Sequence, residues 1–340
     1  MTVALIVLGA VLLVALIFDV LWTVVASASG AGPLTGRLST GLWSIALLLG
    51  RGSDGPRNRL LAVSGVGIVV LLLLAWIMVA WGAWWLIFSA SEGAVRVVET
   101  GRPANLLQRL YFAGDGIFTA SSADFATDMG GWRAARVANH ASGLIFITLA
   151  ITYLIPVASA AAERRQLAGY ISSLGRTPEG IVIAAWTGTT FGSLRQHLVA
   201  LTPMVHLSAQ RHLTYPVLHY FHSPNERTAV AVSYVVLDEA ISLLRWGVTA
   251  EARPDAGAVE PLNEGVGLFL DTVRSAIAEG SRRPLDPPSL EALRRAGIPV
   301  VTDEAFAAAL EQQRDRRCLL AGLLEDDGWS EEAWQRWRKP

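Results

Sequence analysis

From Val137 to Ala162 the chain carries no Asp, Glu, Lys or Arg for 26 residues. At about 1.5 Å per residue, a helix of that length crosses the roughly 30 Å of a bilayer's hydrocarbon core. Hydrocarbon offers no partner to a backbone N–H or C=O, so a run of this kind is read as a helix and not as a strand. A second uncharged run extends from Leu60 to Ser91, with Trp76, Trp81, Trp84 and Trp85 in its distal half, where aromatic rings are expected to meet the membrane interface. A third begins with the apolar stretch Val3 to Phe18, is interrupted by Asp19, and is completed by Val20 to Ala26. The competing reading of this third run is a signal peptide cleaved near Ala26-Ser27-Ala28, but no basic segment precedes it and its apolar core is overlong. Asp19 inside a span is costly unless it faces protein, water or the headgroup zone, and its place near the helix end suits the headgroups.

Charge divides the rest. Positions 1–162 hold 16 charged residues and positions 163–340 hold 41, so a membrane half gives way to a water-exposed half at Glu163. The net charge of −1 implies no nucleic-acid footprint. Of the 28 basic residues 27 are arginine, which favours contact with phosphate or carboxylate groups. Cys318 is the single cysteine, which excludes an intrachain disulfide framework and CxxC metal sites and fits a reducing, cytosolic side for the second half.

Between the first two spans, Leu38, Leu42, Ile45 and Leu49 form a helical stripe beside Trp43 that is too short to cross. An amphipathic helix lying in the interface is expected there, and Arg37, Arg51, Arg57 and Arg59 either hold anionic lipid or act as simple flanking charge. The order after the second span is distinctive. Pro103 suits the first turn of a short helix, which carries Leu106, Leu107, Leu110, Tyr111 and Phe112 and runs through Asp115 to Thr119. Ala120, Ser121, Ser122, Ala123 and Asp124 form an irregular segment, and the Val137–Ala162 span follows. A short helix, an irregular turn and a spanning helix together read as a pore loop.

Over Leu60 to Gly175 the chain resembles the bacterial two-transmembrane potassium-channel family. The resemblance is carried by Tyr111, Phe112, Phe118, Thr119 and Asp124, at the positions of that family's pore helix and filter, and by Thr148 to Val157, which is similar to an inner-helix ending. Ala120, Ser121, Ser122 and Ala123 replace the family's variable residue and Gly-Tyr-Gly, and the proline after the aspartate is missing. The resemblance implies four copies around one pathway, a cytosolic 28–59 loop and an extracellular pore loop. It also implies a hinge at Gly143, with Pro156 as a second bending point. The domains expected are an N-terminal transmembrane helix over 1–27, an interfacial loop over 28–59, a pore module over 60–162 and a cytosolic helical domain over 163–340. Within the pore module lie an outer helix 60–91, a pore helix 103–119, a filter 119–125 and an inner helix 137–162. The fold class is an all-α membrane protein.

Carbonyl-lined filters need backbone angles that glycine adopts freely. With Ser121 and Ala123 in place of both glycines, the expected mouth is wider and wetter, lined by the hydroxyls of Thr119, Ser121 and Ser122 and ringed by Asp124. Asp115 lies four residues before Thr119. It either shares a proton with Asp124 or makes a helix-terminal hydrogen bond to the loop backbone. The expected function is a homotetrameric, weakly selective channel for monovalent cations, in contact with membrane lipids. The alternative is a non-conducting scaffold or sensor whose helical domain binds a cytosolic partner.

The second half reads as short helices over 163–174, 188–212, 226–249, 262–280, 288–296, 302–325 and 329–338, with Ser289 and Thr302 as N-caps, Gly297 as a C-cap and no strand alternation. No nucleotide-binding glycine motif is present. His219 and His222 stand three apart, where zinc or nickel would accept them if both lay on one helix face; Tyr215, Tyr220 and Phe221 argue instead for a packed aromatic segment. No catalytic triad is suggested by spacing, so no enzymatic activity and no cofactor are expected.

Overall fold

A computed structural model of the chain describes residues 2–25, 31–49, 54–120, 122–127, 130–223, 225–274 and 283–329, without the side chains of 25 and 54–60. Three helices are long and apolar enough to cross a membrane: α1 (Thr2–Val25), α3 (Asp54–Ser89) and α5 (Gly131–Leu174). The helix α2 (Pro33–Leu49) lies between the first two and the short α4 (Leu106–Ile117) between the last two. By contact the chain divides into two units, one of residues 1–42 and 66–157 and the other of residues 43–65 and 158–340.

In the first unit Leu16 and Val20 of α1 pack with Trp76, Ala80, Trp84 and Phe88 of α3, and with Phe112 and Ile117 of α4. Asp19 is 1% exposed and does not reach toward headgroups. Its Oδ1 accepts from the backbone N–H groups of Leu34 (2.8 Å) and Thr35 (3.2 Å), and its Oδ2 accepts from the Thr35 hydroxyl at 2.6 Å. The orphan amides at the start of α2 thus find their acceptor on another helix. Thr35, Ser39, Trp43 and Ala46 of α2 are buried while Leu34, Ile45, Leu48 and Leu49 are exposed, so Trp43 faces inward and not toward headgroups. Arg51, Arg57 and Arg59 lie outside the residues whose side chains are described.

Several expected boundaries shift. The 60–91 helix begins at Asp54. The 137–162 helix runs from Gly131 to Leu174, because Glu163 pairs with Arg211, the buried Arg164 donates to the Leu218 carbonyl and Arg165 is exposed, so these charges end only its apolar character. The 163–174 helix is therefore the tail of α5. The 103–119 helix is shorter: Pro103 sits in an extended bridge opposite Arg96, and the N-cap is Asn105. Strand structure, not expected, occurs as a two-residue antiparallel pair, β1 (Arg96–Val97) with β2 (Phe125–Ala126).

The second unit is helical: α6 (Pro178–Ala184), α7 (Leu194–Thr214), α8 (Val230–Ser242), α9 (Ala256–Arg274), α10 (Leu290–Arg295), α11 (Asp303–Gln312) and α12 (Arg314–Asp326). The expected 188–212 helix starts at Leu194, after a turn closed by Thr187 N–H to the Thr190 carbonyl (2.9 Å). The 226–249 helix is a 3₁₀ turn, then α8, then a π-turn over Leu243–Gly247. Helix α9 begins at Ala256, earlier than expected, and 302–325 breaks at Gln313 into α11 and α12. The expected 329–338 helix lies outside the described residues except for Trp329, which is not helical. Ser289 and Thr302 are N-caps, accepting from Ala292 N–H and Ala305 N–H, and Gly297 takes φ +73° after α10.

Every residue of α8 is buried, as expected of a helix that is apolar on nearly all sides. Its two acids are paired with consecutive arginines of α12. Arg316 holds Asp238 with two N–H donors (2.8 and 2.5 Å), and Arg317 Nε donates to Glu239 at 2.9 Å while its Nη2 reaches the Leu285 carbonyl at 2.7 Å. Tyr234 of α8 stacks on Phe269 of α9, with ring centroids 3.7 Å apart.

Candidate functional site

Helix α4 is held in the first unit from both ends. Asn105 Oδ1 accepts from Gln108 N–H and Gln108 Oε1 accepts from Asn105 N–H, both at 2.9 Å, a capping box that fixes the helix start. Arg109 is buried and donates to the carbonyls of Ala104 (2.9 Å), Ser89 (3.2 Å) and Glu92 (3.5 Å), so it ties the end of α3 to the base of α4.

Four tryptophans of α3 turn inward where interface anchoring was expected, because an indole N–H in apolar surroundings needs an acceptor. Trp81 donates to the Leu110 carbonyl (2.8 Å), Trp85 to the Leu106 carbonyl (3.0 Å), Trp84 to Ser142 Oγ (2.9 Å) and Trp76 to Thr35 Oγ1 (3.2 Å). On the other side, Asn139 of α5 donates to the Ala113 carbonyl at 3.1 Å.

Three glycines permit this closeness. A Cβ at Gly114 would meet the Trp81 ring at 2.9 Å, one at Gly116 the Asn139 amide at 2.1 Å, and one at Gly143 the Ile117 carbonyl oxygen at 2.2 Å. Gly143 is therefore a contact point between α5 and the end of α4. The α-helix continues unbroken through Gly143 and through Pro156, where the missing N–H leaves the Thr152 carbonyl without its usual donor. Trp81 was expected at the interface and not against α4, and Asn139 and Gly116 were missed by sequence reasoning; the signal available was an asparagine inside an uncharged span, which needs a partner there.

At its C-terminus α4 closes in a Schellman turn, with Thr119 in the left-handed position that glycine usually takes. Thr119 N–H reaches the Gly116 carbonyl (3.2 Å) and Ala120 N–H the Asp115 carbonyl (2.9 Å). Thr119 takes φ +53°, the one left-handed residue other than glycine among those described. For a β-branched side chain this conformation costs about 1–2 kcal/mol, and strain of this kind is retained where the surroundings enforce it.

Of the two readings of Asp115, the contact made is with the loop backbone: its Oδ1 accepts from Ser122 N–H at 2.8 Å, while its Oδ2 is buried with no partner. Thr119, Ala120, Ala123 and Asp124 are exposed together at the turn, and Ser122 is half-buried with its hydroxyl unpartnered. Ser121 lies outside the described residues. The Asp124 carbonyl accepts from Val98 N–H at 2.9 Å and so extends the β1–β2 pair, while its side chain faces outward.

The two histidines do not share a helix face, since the 3₁₀ turn Pro216–Tyr220 ends before His222. His219 Nε2 bonds Asp326 Oδ2, and His222 Nδ1–H donates to the Asp327 carbonyl at 2.7 Å. Among the described residues no group of three or more His, Cys, Asp or Glu is arranged to hold a metal.

Three long apolar helices, a short helix buttressed between the last two, and a helical C-terminal unit define a helical membrane protein. Over 320 residues the chain is 31% identical to the uncharacterized membrane protein YdjJ of Bacillus subtilis (strain 168), covering 94% of this chain and 93% of that protein. The chain belongs to the family of that membrane protein. No protein-family model matches it, and no solved structure does.

Proposed function

We propose that the chain is the subunit of a homotetrameric, multi-pass channel of the cell membrane that passes monovalent cations with weak selectivity. In this reading α4 is the pore helix, residues 119–125 are the filter, α5 lines the path and residues 163–340 are cytosolic. The observation that carries it is the turn at Thr119. A short helix wedged between two long apolar helices ends in a strained residue, and the next amides are tied back to the same helix by Asp115. A loop that must stand still in a membrane while facing ions has that construction. Exposed Asp124, repeated fourfold, makes a carboxylate ring that concentrates cations. Lipids and other copies of the chain are the partners this implies, with neither nucleic acid nor cofactor nor an enzymatic step.

One observation favours a non-conducting scaffold or sensor as the second reading: the Asp124 carbonyl and the Ser122 amide are both spent on internal hydrogen bonds, leaving fewer backbone groups to meet an ion.

Single-channel recording of the reconstituted chain separates the two. Sodium and potassium permeabilities are expected within about tenfold of each other, a gap under about 1.4 kcal/mol, since a hydrated, hydroxyl-lined passage distinguishes ion size poorly. Asp124→Asn is expected to reduce cation current most at low ionic strength, where the carboxylates are least screened. Strong potassium selectivity overturns the filter reading, and silence of verified tetramers at every voltage and pH transfers the assignment to the scaffold.

A further inference from the structure

Helix α2 turns polar side chains inward and apolar ones outward. Asp19, which receives the amides of Leu34 and Thr35, lies about 9 Å along the helix before α1 ends at Val25, so the start of α2 is held at that depth. An amphipathic helix of a membrane surface seats its apolar face at a depth of this order, roughly 5–10 Å into the boundary between headgroups and acyl chains. The face that α2 leaves exposed carries Leu34, Ile45, Leu48 and Leu49, with Arg37 beside them. Lipid is the partner this face fits.

The inward side is joined to the interior through one hydroxyl. Thr35 Oγ1 donates to Asp19 Oδ2 at 2.6 Å and accepts from Trp76 Nε1 of α3 at 3.2 Å, and all three side chains are buried. The Trp76 ring in turn lies against Tyr153 of α5, with centroids 6.1 Å apart, and Tyr153 is buried as well. Tyr153 stands three residues before Pro156, where the absent N–H makes α5 easiest to bend. In apolar surroundings a hydrogen bond that is broken is not replaced by one to water. A shift of α2 therefore either carries Trp76 with it or strands the indole N–H and the Asp19 carboxylate without the Thr35 hydroxyl, a costly state for buried polar groups.

We propose that α2 reads how tightly lipid is packed in the surface layer of the bilayer and transmits it to α5. Lipid that loosens this layer lets α2 shift, and Thr35 and Trp76 pass the shift to Tyr153 beside the bend at Pro156. Its effect on an ion path rests on the channel reading, in which α5 lines that path; the relay itself does not require the chain to conduct.

The test is fluorine NMR of the full chain in phosphatidylcholine nanodiscs, with 3-fluorotyrosine placed at position 153 and, in a second sample, at position 234 of the other unit. The response is the change in resonance, within one variant, when part of the phosphatidylcholine is replaced by lysophosphatidylcholine. The resonance at 153 is expected to shift or split by more than its linewidth, and that at 234 to stay where it was. Thr35→Val, which keeps the shape without the hydroxyl, is expected to abolish the response, and Thr35→Ser, which keeps the hydroxyl, to retain it. If Thr35→Val does not fold, Trp76→Phe decides, since it keeps a ring and removes the N–H. No response at 153 in the wild type overturns the proposal, as does a response that survives loss of the Thr35 hydroxyl. Loss of the response in Thr35→Ser as well overturns it by making the methyl group and not the hydroxyl the link. Equal movement at 234 reduces the effect to general loosening, and a response to phosphatidylglycerol in place of lysolipid assigns the face to headgroup charge at Arg37; either result overturns the relay.

Discussion

His212 shows how burial at a single residue becomes a property that can be measured. Its ring is enclosed against Phe269 and His219, with centroid separations of 5.7 and 5.9 Å, and its Nδ1 has no partner. Burial first, then the nearby Arg164 charge and His219, hold its pKa well below the ordinary 6.5. The unfolded chain therefore takes up a proton below 6.5 that the folded chain refuses. Stability falls as pH drops from 6.5 toward the depressed folded value, at up to about 1.4 kcal/mol per pH unit. Tyr234 acts at the other end. Burial raises its pKa above the ordinary 10.0, so the unfolded chain ionises first and stability falls as pH rises past 10. Thermal melts of the purified chain across pH should show both losses; His212→Phe should flatten the acid limb alone, and an acid limb unchanged by that substitution refutes the assignment.

Among elements, α2 depends most visibly on one side chain outside itself. Asp19 stands in α1, yet it accepts the first amides and the Thr35 hydroxyl of α2, and a Cβ at Gly32 would lie 2.4 Å from its Oδ1. Asp19→Ala leaves buried donors unsatisfied and is expected to cost about 2–3 kcal/mol. Asp19→Asn, which keeps one oxygen for the amides, should cost less; equal melting temperatures for both variants and the wild type contradict the capping role. The asymmetry between what was legible and what was not follows from range. The three long helices were readable because hydrocarbon demands long uncharged runs, and the segment 102–125 because its order is unusual. Helix ends were misplaced wherever the deciding contact was a cap or a tertiary partner: Asn105 in place of Pro103, the break at Gln313 without glycine or proline, α5 continuing past its first charges. At the candidate site the residues 119–124 were named from sequence. The left-handed Thr119 was not, since a β-branched residue is the wrong choice for that conformation unless distant contacts impose it. Nor was Asn139, whose partner lies 26 residues away.

For the whole molecule, each chain supplies one α4 and one loop, so a central pathway requires several copies. The apolar residues Leu106, Leu107, Tyr111 and Phe118 of this segment are exposed on the single chain, as are Leu144, Ile145, Ile151, Leu154 and Ile155 of α5. Native mass measurement after gentle extraction is expected to give four copies of the 36.5 kDa chain; a monomer or dimer counts against any central pore.

The paired arginines of α12 carry a consequence for how the chain is made. Asp238 and Glu239 leave the ribosome 78 residues before the arginines that neutralise them. At about 5–20 residues per second that is a wait of roughly 4 to 16 s, during which α8 holds two carboxylates that no completed core would accept. Because neighbouring helical positions point about 100° apart, the two pairs act like the prongs of a plug and admit α12 in one rotation and one register only. Helix α12, synthesised well after α8, is thus the one that allows α8 to be enclosed, and a chain cut short before Arg316 is expected to stay open and be recognised as unfinished.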